Sequence, residues 1–296
     1  MNAVDHVAVF TEHRPRMLAA AFHITGSRQD AEDVVQDAWT AWSRVDLDQV
    51  RTPPAFLTVM ASRLALNAVR AQRRRREQYV GPWLPDPVLD QGPEWALLRR
   101  DGLGQALDFV LATLTPEQAT AYVLRKVLDV DYASIAEVLE TSPAAARQLV
   151  SRAQRAVTAA IGDSLPDQGD RDAQALAQLA EAVLAGDVEW VAALLTPDAI
   201  LYSDGGGKAT AALRPVAGPE KIARFLLGIA AMPDLRLATA VINGSAGAVA
   251  YQGATVITTI TVRASGDGVR ALYFVRNPDK LARIGQVAEQ TCLQTA

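Results

Sequence analysis

Partway along the chain the apolar residues change period. Up to about residue 162 they recur every three or four positions, the spacing of amphipathic helices. From about residue 199 short β-branched runs such as 254–263 and 269–276 take over. One core cannot serve both regimes over 296 residues, so the chain must fold as more than one domain, helical first and α+β last. The polar, turn-forming stretch Gly162-Asp-Ser-Leu-Pro-Asp-Gln-Gly-Asp170 reads as the linker between them. A second interruption runs from Tyr79 to Pro93. Its first part, Tyr79-Val-Gly-Pro-Trp-Leu-Pro-Asp-Pro87, holds three prolines and is expected to be extended, able to lie in a groove.

Charge and composition remove several function classes. The apolar runs fall short of the roughly 20 residues that span a bilayer. Residues 1–25 carry Asp5, Glu12, Arg14 and Arg16, so neither a leader nor a membrane partner is expected and a cytoplasmic location is. A single cysteine, Cys292, permits no internal disulfide and no thiolate cluster. His6, His13 and His23 all precede residue 25, which leaves the C-terminal part without an imidazole; no metal and no cofactor are expected. The formal net charge of −4 argues against nucleic-acid binding by the whole surface, so any such binding depends on where the arginines stand.

Ser27-Arg-Gln-Asp30 has the form of a capping box, and a helix should begin there. Its apolar face would be Ala31, Val34, Val35, Ala38, Trp39 and Trp42, with Asp33, Gln36 and Asp37 opposite. A second helix should start at Thr52-Pro53 and bury Phe56, Leu57, Met60, Ala61, Leu64 and Ala68. Along its other face Arg63, Asn67, Arg70 and Arg74 form a basic stripe that runs into Arg73–Arg76, suited to phosphates and unpaired bases. A solvated basic helix end would show the same pattern.

Thr115-Pro-Glu-Gln118 opens a further helix with Ala119, Tyr122, Val123 and Val127 inward. Tyr132, Ile135, Ala136 and Leu139 then face a core, Thr141-Ser-Pro143 makes a turn and cap, and Ala146, Leu149, Val150, Ala153 and Val157 face the core from the next helix. The spacing is that of a helix-turn-helix. Arg147, Gln148, Ser151, Arg152 and Arg155 would face outward, able to reach phosphates and base edges in a major groove.

Two stretches carry a resemblance. Leu18 to Trp39 resembles the polymerase-binding segment of sigma domain two, and Leu114 to Gln118, Val123 to Arg125, Tyr132 to Leu139 and Ala144 to Ala153 resemble sigma domain four. With no domain three between them, the chain resembles the extracytoplasmic-function sigma factors. The linker motif, Asp204-Gly-Gly-Gly-Lys208 and Asn277-Pro-Asp-Lys-Leu281 point to the SigJ-like subgroup with a SnoaL-like C-terminal extension.

The resemblance implies two all-α sigma domains, the second a helix-turn-helix, followed by an α+β SnoaL-like (NTF2-like) cone-shaped domain. Expected boundaries are domain two over 1–78, a linker over 79–107, domain four over 108–162, a linker over 163–171 and the extension over 172–296. It implies RNA polymerase core, through its beta-prime clamp and beta flap, and promoter DNA as partners. Asp30, Glu32, Asp33, Gln36 and Asp37 would dock on the clamp. Arg63, Asn67, Arg70, Arg73 and Arg74 would meet the minus-10 element, and Arg147, Gln148, Ser151, Arg152 and Arg155 the minus-35 element. Family members commonly have Asn and Asp where this chain has Arg63 and Asn67, so no base preference is carried over. Trp83, Asp204, Lys208, Asn277, Asp279 and Lys280 would form a regulatory contact, and the linker would run through the polymerase toward its RNA exit path.

In the extension, helices are expected around Leu176–Val183, Val188–Leu195 and Pro219–Ala231, with strands near 199–203, 235–242, 247–252, 254–263 and 269–276. Trp190, Tyr202, Phe225, Tyr251 and Tyr273 are candidates to line a pocket in the sheet. Two further roles stay open for this part: a small-molecule sensor with an unidentified ligand, or a cyclase or isomerase with Asp204 as general base. No second titratable partner is apparent for catalysis, so an enzyme is not expected.

Overall fold

The computed structural model describes residues 6–89, 104–162 and 167–284, without the side chains of 73–77. Cys292 and the side chains of Arg73 and Arg74 therefore lie outside the described residues. The chain divides into two compact units.

The first unit is helical. It contains α1 (His6–Thr25), α2 (Arg28–Trp42), α3 (Pro53–Glu77), most of α4 (Gly104–Thr113), α5 (Pro116–Tyr122), α6 (Tyr132–Val138) and α7 (Pro143–Ile161) up to Ala160. Ser27 caps α2 by accepting from the Asp30 amide, and Ala31, Val34, Val35, Ala38 and Trp42 are buried. Trp39 is half-buried, edge-on to Phe10 at 5.1 Å. Met17, Leu18 and Phe22 of α1 are fully enclosed, each contributing about 1.5–3 kcal/mol by burial.

On α3 the buried face differs from the expected one. Leu57, Ala61, Ala65, Leu66 and Val69 are buried, whereas Met60, Leu64 and Ala68 are half-buried and Phe56 is exposed. The stripe is turned because α3 is packed by α1 and α2 and also by α5 and α6, so no single helix sets its inward direction.

Thr115 and Gln118 make a reciprocal capping box at the start of α5, and a π-helical turn over Val123–Val127 follows it. Asp131 caps α6, and the Ser142 hydroxyl accepts from the Ala145 amide at the start of α7. Ile135, Ala136, Leu139, Ala146, Val150, Ala153 and Val157 are buried, as a helix-turn-helix requires. A buried contact of 2.6 Å between His23 Nδ1 and Asp108 Oδ1 ties α1 to α4.

The second unit takes residues 78–89, the first turn of α4 and the chain from Ile161 onward. It holds α8 (Gln168–Leu184), α9 (Val188–Ala193), α10 (Pro219–Ala230) and a six-stranded sheet. The strands are β1 (Leu195–Asp204), β2 (Val216–Ala217), β3 (Leu235–Ile242), β4 (Ser245–Gln252), β5 (Thr255–Ser265) and β6 (Gly268–Val275), in the order β2-β1-β6-β5-β4-β3. All pairings are antiparallel except β1 with β6. Leu179, Val191, Leu201, Ile222, Val262, Leu272 and Phe274 form the core between the helices and one sheet face.

Helix α8 begins inside the stretch read as a linker because Gln168 and Asp172 are anchored. Asp172 accepts from the Ala264 amide and from Gln168, each at 2.7 Å, beside the Arg263 guanidinium. Burial pushes the Asp172 carboxyl up and the Arg263 guanidinium down from their ordinary values.

Candidate functional site

On α2, Asp33, Gln36 and Asp37 are exposed and Asp30 and Glu32 are half-buried, giving one acidic face. Arg28 Nε holds Glu32 at 3.0 Å, and Gln29 donates to Asp33 at 2.9 Å. On α3, Arg63, Asn67 and Arg70 are all exposed on one side. Two of them are engaged within the first unit. Arg63 Nη2 donates to the Glu137 carbonyl at 2.8 Å, and Arg70 grips the Glu117 carboxylate at 2.9 and 3.0 Å. Although burial pushes the other way, backbone hydrogen bonding and Arg70 hold the Glu117 carboxyl below its usual range. These glutamates on α5 and α6 carry no motif of their own, and spacing alone could not have paired them with α3.

On α7, Arg147, Gln148, Ser151, Arg152 and Arg155 are all exposed on the face opposite the core. Arg147 lies 5.2 Å above the Tyr132 ring, with Arg125 at 5.3 Å. The face is thus a helix-turn-helix surface with guanidinium groups outward, the chemistry that phosphates and guanine edges call for.

The second unit carries a different site. Asp204, at the end of β1, is fully buried. Its Oδ1 accepts from the Tyr79 hydroxyl at 2.6 Å, and its Oδ2 from the Leu84 amide at 2.9 Å and Lys280 Nζ at 2.8 Å. Lys280 Nζ also donates to the Leu84 carbonyl, lies 4.2 Å from the Trp83 ring centre and is 3.9 Å from Asp86. Asn277 donates to the Tyr79 oxygen at 2.8 Å and accepts from the Asp279 amide at 3.0 Å, while Lys208 pairs with Asp279. Burial, and then Asp204, push the Tyr79 hydroxyl well above its ordinary value, so it remains a donor.

The three separated motifs therefore meet around one carboxylate and hold segment 79–86. Residues 86–89 are held further along: Asn243 accepts from the Val88 amide at 2.6 Å and donates to the Asp86 carbonyl, and Leu89 bridges Ile242. Tyr79 and Asn243 make hydrogen bonds to this network that the sequence did not single out. The signal for the latter was available, since Asn243-Gly244 is a hairpin-turn dipeptide between two strands.

The glycines of the 204–208 motif have a steric reason. A Cβ on Gly206, whose φ is +59°, would lie 2.4 Å from Asn277 Nδ2 and 2.9 Å from the Tyr79 oxygen; one on Gly207 would press on Val80. Gly206→Ala is expected to destabilise the second unit by about 1–3 kcal/mol through strain and overpacking. Urea unfolding checks this, and a cost below that range would mean the close approach is dispensable.

None of the five aromatic pocket candidates lines the cavity of this unit. Tyr202 stacks on Tyr273 at 5.7 Å, Phe225 packs on Phe274 at 6.3 Å, and Trp190 is partly exposed. The cavity instead opens over β3 and β4, where β4 contributes only alanine and glycine, and Phe274 is the aromatic residue that reaches it. Asp204 is not among its lining residues. Among the described residues no group of three or more His, Cys, Asp or Glu could hold a metal, and no helix is long and apolar enough to cross a membrane.

Residues 9–75 match the Sigma-70 region 2 family model, and residues 104–157 match Sigma-70, region 4. The chain is 40% identical to the ECF RNA polymerase sigma factor SigJ of Mycobacterium tuberculosis, over 93% of this chain and 92% of that protein. It is 29% identical to the ECF RNA polymerase sigma factor SigG of the same organism, over 66% of this chain and 60% of that one. The crystal structure of M. tuberculosis SigJ is similar with a TM-score of 0.74 at 34% identity, covering 93% of this chain and 98% of that one. Two sigma regions in order, the helix-turn-helix geometry and a match along nearly the whole chain place it: this protein belongs to the extracytoplasmic-function RNA polymerase sigma factors of transcription initiation, and it is SigJ-like.

Proposed function

We propose that the helical unit supplies promoter specificity and that the C-terminal domain tunes it in cis by holding the linker. In this reading the acidic face of α2, with Asp30, Glu32, Asp33, Gln36 and Asp37, docks on the beta-prime clamp of the polymerase. The α3 side with Arg63, Asn67, Arg70, Arg73 and Arg74 meets the minus-10 element, and the α7 face meets the minus-35 element while the beta flap supports it. The observation that carries the regulatory part is the capture of 79–86 by Asp204, Asn277 and Lys280. A segment bonded to the second unit cannot at the same time run through the polymerase. Linker release is then a step of holoenzyme assembly, and whatever weakens the hold favours transcription.

A catalytic role for Asp204 has little support. Both carboxylate oxygens are taken by donors from the chain, and the residue lies away from the cavity. A sensor role for the same domain is the second reading, favoured by that cavity.

The test is run-off transcription with core polymerase, comparing the parent chain with Trp83→Ala. The variant removes a cation–π contact of about 0.5–2 kcal/mol, which shifts linker release by roughly two- to thirtyfold. Promoter-dependent product is expected from both chains and more of it from the variant. Equal output from a folded variant whose linker has come free, read by Tyr79 to Asp204 region crosslinking, would discard regulation through the linker. Absence of any promoter-dependent product would discard the promoter assignment of the helical faces.

A further inference from the structure

The second unit contains a cavity of about 780 Å3, within the size range of small-molecule sites. Its origin can be followed strand by strand. Cross-strand pairing puts Thr239, Ala248, Ile260 and Phe274 in one row and Leu237 beside Ala250 in the next, with Val241 opposite Ala246. Over β5 and β6 the large side chains Ile260, Val262, Leu272 and Phe274 fill the space beneath the helices. Over β4 the same face offers only Ala246, Ala248 and Ala250, whose short side chains leave space beneath Leu226 and Ile229 of α10, which also line the cavity. The floor therefore drops on the β3–β4 side and leaves a chamber walled by Leu176, Leu179, Val183, Leu226 and Ile229.

We infer that this chamber binds an uncharged, apolar small molecule. Its walls are aliphatic, so a buried charge there would lose its hydration with nothing in return. Asp234 is the one charged side chain among the lining residues; it is exposed and so sits toward solvent, where it disfavours a carboxylate-tipped ligand. Leu184, Leu237 and Val241 are exposed beside the chamber at 78%, 43% and 44%, an apolar approach for a molecule of this class. A tip bearing a hydroxyl could hydrogen-bond at Thr239 or Asp234. The inference deepens the sensor reading by naming the ligand class. Binding is measured without polymerase, so its failure and the failure of cis regulation read out separately.

The experiment titrates the full chain with the neutral fluorophore N-phenyl-1-naphthylamine and then displaces it with 1-dodecanol or with dodecanoate. Saturable binding is expected, with dodecanol displacing at a concentration roughly tenfold lower than dodecanoate. Ala248→Phe fills the floor and should weaken the probe by roughly tenfold or more. Leu184→Asp, on a side chain already facing solvent, should weaken it without touching the core. Three results would overturn the inference: no saturable binding, unchanged affinity in both variants, or a probe signal that belongs to a dimer of the chain and vanishes when dilution separates the copies. A preference for dodecanoate would overturn the assigned class.

Discussion

Asp204→Ala is expected to lower the stability of the C-terminal domain by about 3–5 kcal/mol, the cost of removing one partner from a buried ion pair. Lys280 is 9% exposed at its side chain and would be left with Asp86 at 3.9 Å as its nearest remaining carboxylate. The Leu84 amide and the Tyr79 hydroxyl would each lose an acceptor in a buried setting, which adds to the loss. Urea unfolding of the full chain should show the transition of this domain moving to lower denaturant. Adding Lys280→Met to the alanine variant should recover part of the loss, because the stranded charge is then gone. A cost under about 1 kcal/mol, the range of surface ion pairs, would mean that Asp204 is solvated in solution and the linker is not held as described.

The second large effect concerns promoter use. Arg147→Ala and Arg152→Ala are each expected to weaken minus-35 recognition by about 1–3 kcal/mol if the contacts are to base edges. Combined, they should lower promoter-dependent transcription by roughly thirtyfold or more. Arg147→Lys is the informative control: it keeps the charge but loses the planar fork, so a base contact would still suffer while a phosphate contact would largely survive. Asp33→Ala should fail differently, in assembly with the core polymerase, with promoter preference unchanged in whatever holoenzyme forms. Competition binding to the core enzyme and run-off transcription on templates with an altered minus-35 element separate the two. If the double arginine variant transcribes like the parent, the α7 face is not the reading surface.

Some of this was legible from neighbouring residues and some was not. Ser27 and Thr115 marked helix starts correctly because capping involves groups only a few positions apart. The α3 stripe was misplaced because its inward direction is set by helices on several sides, and periodicity assumes one. The aromatic residues were poor guides to the cavity, since a cavity forms where side chains are small; the alanine alternation in Ser245–Gln252 was the better signal. Arg63 and Arg70 stood out as a basic stripe, but nothing local announced Glu137 and Glu117 as their partners.

Taken by itself, the sequence placed most of the helices and strands and showed which faces are acidic or basic, because these follow from spacings of two and three to four residues along one segment, while the two sigma regions were marked by resemblance to known motifs. It also singled out the linker, 204–208 and 277–281 as motifs. That they close around one buried carboxylate was decided only by the tertiary structure. Tyr79 and Asp204 are 125 positions apart, and Tyr79 and Asn277 198. Their meeting depends on β1 and β6 lying side by side in parallel and on a glycine turn that admits the linker, and contacts of that range exist only once the sheet has formed.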